Sequence, residues 1–192
     1  MTDPKWDATQ LAVLNAAVTC AEQVGFGAMT TRRVAELAGV NEVTIFRRFG
    51  SKAGLVAAAF EREAATIASS VGDYTGDLQA DLLRIVASIW DATGRRKNVL
   101  PAILAELANN SELRSAATYS INEVGRVAEI LARYQREGVL LEEPPLLAYA
   151  ALVGPLVYLG IVSRLLPEPP TVDLEAHVDH YLQGRATTEE TR

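Results

Sequence analysis

The sequence predicts an all-α fold, and three observations lead there. Apolar residues recur three and four apart in the long segments, as on one face of a helix, and no stretch alternates apolar and polar residues as a half-buried strand would. Helix-start residues (Asp7, Thr30, Asn41, Ser51, Ser111) precede these segments, and glycines (Gly25, Gly39, Gly138) follow them. The 192 residues are 49% apolar and 22% charged, enough for a packed core, and a single cysteine excludes an internal disulfide framework. About nine helices are expected, as an N-terminal three-helix unit followed by a C-terminal helical body.

Asp7 starts the first helix, with Gln10 three residues on and Trp6 and Leu11 placed as a hydrophobic staple. Its stripe is Leu11, Leu14, Val18 and Ala21, and Gly25 and Gly27 end it. Cys20 shares helical spacing with Val13, Ala16, Ala17 and Val24, so it reads as a small buried side chain rather than a redox sensor. The opening MTDPKWD lacks the cationic start and apolar core of a secretory signal. Thr30 caps a second helix carrying Ala35, Leu37 and Ala38. Gly39 supplies a left-handed turn, and Val40 returns to the core. Asn41 caps a third helix whose Ile45 and Phe49 point inward, leaving Glu42, Val43, Phe46 and Arg47 on the other face. Two short helices joined by a tight turn, one with a free face, suit a major groove wide enough to admit a helix.

Charge supports that reading. Residues 30–52 hold five basic and two acidic groups, a local +3 in a chain of net −6. Residues 1–60 carry net +1 and the remainder −7, so an acidic body would keep the N-terminal end toward nucleic acid. The plainer alternative is a solvated basic patch on an ordinary helical hairpin.

Ser51 caps a fourth helix through Leu55, Val56, Ala59 and Phe60 to about Ser70. The segment Val71 to Asp77, with two glycines and two aspartates, marks a boundary. Leu78, Leu82, Ile85 and Ile89 then mark one face of a helix stopped by Gly94 and Arg95, Arg96 and Lys97. Pro101, Ile103, Leu104 and Leu107 predict a short helix ending at Asn109 and Asn110. Ser111 opens a long helix with Leu113, Ala117, Val124, Val127, Leu131 and Tyr134, closed by Gly138. Leu146 to Val162 is uncharged over seventeen residues, short of the roughly 20 a membrane span needs; Glu142 and Glu143 precede it and it contains Gly154-Pro155. A helix apolar all round is expected to be buried on both sides, by its own domain and by a partner. Pro155 either opens space for a ligand or shapes a dimer seam. Pro167, Pro169 and Pro170 separate it from a last helix, and the tail from Arg185 is expected to be disordered.

The run GFGAMTTRRVAELAGVNEVTIFRRFGSKAGLVAAAF resembles the N-terminal DNA-binding domain of the tetracycline-repressor (TetR) family of bacterial regulators, over roughly residues 8 to 62. The resemblance implies domains at 1–52 (helix-turn-helix), 53–76 (connecting helix and linker), 77–184 (effector binding and dimerisation) and a tail at 185–192. It places Thr30, Thr31, Arg32, Arg33, Asn41, Glu42, Val43, Thr44, Phe46, Arg47, Arg48 and Lys52 at the DNA. Arg32 suits a guanine edge, Glu42 a cytosine amine and Val43 a thymine methyl, while Thr31, Thr44, Arg48 and Lys52 suit phosphates, with Arg47 beside them. Three positions depart from the family pattern. Phe46 replaces a common Tyr, Arg48 a common His, and Gly54 a better helix former at a cost of about 1 kcal/mol.

The resemblance further implies a cytoplasmic homodimeric repressor, paired through helices at 145–166 and 173–183, that leaves a double-stranded palindromic operator when a largely apolar small molecule binds. Candidate pocket residues are Trp90, Leu104, Tyr119, Asn122, Tyr149 and Tyr158. No cofactor or enzymatic activity is expected, since no nucleophile sits by a recognisable base and there is no phosphate loop. His177 and His180, near Asp173 and Asp179, offer too few imidazoles for a typical metal site and read as a polar helix face. A small-molecule-binding or interaction protein without operator recognition is the alternative.

Overall fold

The computed structural model describes residues 6–95, 111–116, 118–163, 166–168 and 170–185, with side chains omitted at 95, 112, 115–116 and 118–124. Among them every regular element is α-helical: α1 (Ala8–Ala28), α2 (Thr31–Ala38), α3 (Glu42–Phe49), α4 (Lys52–Val71), α5 (Leu78–Arg95), α6 (Ser111–Ala116), α7 (Thr118–Arg136), α8 (Pro145–Val162) and α9 (Leu174–Arg185). The helix expected over 101–110 and the tail at 186–192 lie outside the described residues, as does residue 117 of the long helix expected from Ser111. The chain divides into two compact units, Met1–Ala64 with Arg96–Ser120, and Ala65–Arg95 with Ile121–Arg192, so the division falls inside α4.

In the first unit, Asp7 Oδ1 accepts from Gln10 N at 2.9 Å and Gln10 Oε1 from Asp7 N at 3.1 Å, which satisfies two donors that the start of α1 would otherwise leave open. At Gly25 the chain leaves the helix (φ 78°, ψ 158°), and a further turn carries Phe26 and Met29 into the core. That core joins Val13, Leu14 and Ala17 of α1, Val34 of α2, Ile45 of α3, Leu55 of α4 and Leu113 of α6. Burial of this kind is the main stabilising term, and cutting one such Leu or Ile back to Ala costs about 2–5 kcal/mol. Leu11, in the first turn of α1, is only half-buried, and Val24, just before the break at Gly25, is exposed.

Gly54 corrects an expectation. Its position in α4 promises a gain from a better helix former, yet a Cβ there would sit 2.1 Å from the carbonyl oxygen of Phe49. Only a hydrogen fits where the α3 exit folds back onto the start of α4, and Ser51 Oγ accepts from Gly54 N at 3.0 Å in the same turn.

The second unit packs α5, α7, α8 and α9 around Leu82, Ile85, Val86, Leu131, Tyr134, Leu152, Leu156 and Val178. Asp77 caps α5 through Ala80 N at 3.0 Å, and Asp173 caps α9 through Ala176 N at 3.0 Å. Gly160 of α8 lies so close to α5 that an added Cβ would meet Thr93 Cβ at 2.9 Å, so a small residue sets that crossing. Helix α8 runs through Pro155 and buries Ala148, Leu152, Val153, Leu156 and Gly160, while Leu146 (65% exposed), Leu147 (54%) and Tyr158 (65%) face outward. Both α1 and α8 are long and apolar enough to cross a membrane by length and composition, though α1 supplies much of the first core. Helix α9 continues through Arg185, where the tail was expected to begin. Its guanidinium bonds Glu143 Oε1 at 2.9 Å, and its carbonyl accepts from Leu141 N at 2.9 Å.

Candidate nucleic-acid interface

The turn between α2 and α3 is built by Gly39 in the left-handed region (φ 66°, ψ 31°). Gly39 N donates to Glu36 O at 3.3 Å and Val40 N to Ala35 O at 3.0 Å, closing the last turn of α2. Thr30 Oγ1 accepts from Arg33 N at 3.2 Å, and Asn41 Oδ1 from Val43 N at 2.9 Å. The two caps therefore use the side chains of Thr30 and Asn41 within the protein itself. With Ile45 fully buried and Phe49 against Trp6 at a ring separation of 6.3 Å, α3 is anchored on one side. Its opposite side presents Val43 (69% exposed), Phe46 (47%) and Arg47, with Thr44 half-buried.

The remaining predicted contacts divide. Arg32 and Arg33 stand out from α2 with side chains 81% and 56% exposed, sharing Glu36 at 3.4 and 3.7 Å. Such exposed pairs are weak and open readily. Thr31 Oγ1 donates to Glu42 Oε1 at 2.6 Å, tying the start of α2 to the start of α3. Lys52 Nζ donates to Gly27 O at 2.7 Å, a favourable place for a cation at a helix C-terminus. Arg48 Nη1 donates to Asp7 Oδ2, and its Nε is buried without a partner. The Asp7 carboxyl is held below its ordinary value of 3.8, first by the hydrogen bond from Gln10 N and then, against the cost of burial, by the Arg48 charge.

Of the expected pocket residues, Trp90 and Tyr149 pack half-buried on the second core, and burial pushes the Tyr149 hydroxyl up to about 12. Tyr158 is exposed, Leu104 lies outside the described residues, and so do the side chains of Tyr119 and Asn122. A recess of about 50 Å³ beside Ala68, Tyr74, Arg126 and Ile130 uses none of the six and is far below the roughly 300 Å³ of a ligand pocket. His177 Nε2 lies 2.8 Å from Leu152 O, joining α9 to α8, and among the described residues no three potential metal ligands cluster.

Sequence reading overlooked a polar core in the second unit. Asp81, fully buried, accepts from Thr75 N (2.9 Å), Thr75 Oγ1 (2.6 Å), Tyr134 Oη (2.7 Å) and Arg84 Nη2. Arg84 also donates to Val71 O at 2.9 Å and Asp73 O at 3.0 Å, closing the C-terminal end of α4. The available signal was a lone acid three residues after Leu78 and four before Ile85, on the apolar side of α5.

A short helix, a glycine turn and a second helix with an open, cation-flanked face define a helix-turn-helix of the DNA-reading class. Residues 13–59 match the family model described as "Bacterial regulatory proteins, tetR family", and the N-terminal domain belongs to that family. The chain is 33% identical over 108 residues to YvkB of Bacillus subtilis, an uncharacterized HTH-type transcriptional regulator, covering 53% of this chain and 57% of that one. It is 33% identical over 113 residues to a second uncharacterized HTH-type regulator, Rv1556 of Mycobacterium tuberculosis, covering 58% and 55%. The chain thus spans little more than half the length of either relative. The fold extends further: a TetR-family structure from Vibrio parahaemolyticus superposes with TM-score 0.75 at 19% identity, over 92% of this chain and 98% of that one.

Proposed function

We propose that this chain is a cytoplasmic transcriptional regulator, a homodimeric repressor that binds a palindromic operator and leaves it when a small, largely apolar molecule binds the second unit. The observation that carries the reading is the division of α3, with Ile45 locked in the core and Val43, Phe46 and Arg47 held outward beside the exposed Arg32 and Arg33. Phosphate attraction supplies affinity, while the outer face of α3 and Arg32 read base edges. Glu42, one oxygen committed to Thr31, keeps the other for a cytosine amine. The exposed Leu146, Leu147 and Tyr158 of α8 form the surface that pairs with a second copy, setting the two recognition helices about 34–36 Å apart for half-sites on successive turns. Release then requires an effector that favours the unbound arrangement; moving a 1:99 equilibrium to 99:1 takes about 5.5 kcal/mol.

The test is a selection of bound genomic fragments by the purified protein, followed by a salt series on the best fragment with wild type and Arg32→Ala. A palindromic consensus whose preference relaxes in Arg32→Ala supports the reading. Equal binding of all fragments overturns it and favours a binding protein without operator recognition.

A further inference from the structure

The cations gathered around α3 do not share one role. Positions 45, 48 and 49 lie three and four apart on the inner side of the helix, whereas 43, 46 and 47 lie on the outer side. Arg48 thus leaves the same side as the buried Ile45 and the half-buried Phe49, and its side chain is only 28% exposed. Its guanidinium meets the Asp7 carboxylate at the start of α1, next to the place where Phe49 meets Trp6. Two neighbouring residues of α3, 48 and 49, therefore contact two neighbouring residues ahead of α1, 6 and 7. Asp7 divides its oxygens, Oδ1 capping α1 and Oδ2 taking Arg48. Burial of Arg48 Nε without an acceptor is a cost that the pair with Asp7 and the packing of the side chain against the protein must offset.

We propose that Arg48 is a positioning residue of the recognition helix. It braces the last turn of α3 against the N-cap of α1, setting the angle at which Val43, Phe46 and Arg47 are presented, and makes no phosphate contact. The proposal deepens the DNA-binding reading and rests on it.

The experiment compares wild type, Asp7→Asn, Arg48→Gln and the double variant. Asn caps a helix as well as Asp does, so Asp7→Asn removes the charge facing Arg48 while keeping the start of α1. On the selected operator, each single variant is expected to weaken selective binding by about two- to fivefold. The double variant is expected to be no weaker than the worse single, and the salt dependence to stay unchanged in all three. In the DNA-free protein, amide hydrogen exchange is expected to quicken at Phe49 and Gly50 in every variant and to stay unchanged in α5. If Arg48 instead bound phosphate, removing an acid at Asp7 would tighten binding. Arg48→Gln would then flatten the salt slope by about 0.9, and the two effects would add. That pattern, or unchanged exchange in α3, overturns the proposal. A wild type without selective binding would refute the DNA-binding reading, and with it the helix-presenting role; exchange in α3 would then report only whether the brace exists.

Discussion

Replacing Gly54 by Ala should destabilise this protein, although helix propensity alone favours the change by about 1 kcal/mol. The added Cβ would lie 2.1 Å from Phe49 O and 3.3 Å from Phe49 C, where ordinary contact begins near 3.4 Å. The obstacle is backbone, so no side chain can rotate out of the way. Phe49 O also accepts from Ser51 N at 2.9 Å, and the next residue, Gly50, holds φ at 75°. Moving that carbonyl by roughly 1 Å disturbs the whole exit turn of α3, and overpacking of this kind costs about 1–3 kcal/mol. Because the obstacle is backbone at 2.1 Å, the cost falls in the upper part of that range, about 2–3 kcal/mol, and against the propensity gain the balance is a loss of about 1–2 kcal/mol, or roughly 2–8 °C in Tm for a chain of this size. Thermal and urea unfolding followed by helical circular dichroism measure it, with Gly125→Ala of α7 as control, because a Cβ there meets nothing within 4 Å. A Gly54→Ala protein as stable as wild type, or more so, would refute the packing argument.

Three further outcomes follow from the second unit. Tyr134→Phe deletes the 2.7 Å bond to Asp81 and should cost about 1.5–3 kcal/mol in urea unfolding, as expected for a hydrogen bond to a charged group; a loss below about 0.5 kcal/mol would mean that Thr75 and Arg84 satisfy the carboxylate alone. Burial pushes the Asp81 carboxyl up, but the bonds from Thr75, Tyr134 and Arg84 outweigh it and hold the group below its ordinary 3.8. The unfolded chain therefore takes up this proton first, so the stabilisation is present above pH 3.8 and lost as pH falls through the folded value. Unfolding free energies measured from neutral pH down to pH 3 should show this decline in wild type and a shallower one in Asp81→Asn. Leu147→Lys places a charge on the outer face of α8 and should convert a dimer to monomer by sedimentation without lowering the helical signal; an unchanged dimer would move the pairing surface elsewhere.

The helix-turn-helix was legible because its determinants act over a few residues. Asp7 and Gln10, Thr30, Gly39 with Val40, Asn41 and Ser51 each make the local bond their type suggests. The contacts that give the unit its particular geometry join residues far apart in sequence. Asp7 was read as a cap alone because its second partner lies 41 residues away, and Asp81 lies 53 residues from Tyr134. Gly54 fails for a different reason: its obstacle, Phe49 O, is only five residues back, but helix propensity takes no account of the turn that folds the α3 exit onto the start of α4. In α8 nearly every residue is apolar, so periodicity offered no face. The side that packs inward is set by the close approach of Gly160 to Thr93 and by the bonds from His177 and Tyr181 to its carbonyls.

Counting charges has the same limit. Residues 30–52 sum to +3 whichever way the side chains turn. In the folded unit Arg48 is committed to Asp7, Lys52 to Gly27 O, and Arg32 and Arg33 to a shared Glu36, while Arg47 stays exposed and in no ion pair among the described residues. Electrostatic attraction to a duplex depends on the sum and was visible in the sequence. In the proposed complex, which cation reaches a base or phosphate depends on which of these internal bonds yields first. The two exposed links to Glu36 are weaker than the partly buried one at Asp7, so in the proposed complex Arg32 and Arg33 are the cations expected to turn toward DNA, beside the exposed Arg47.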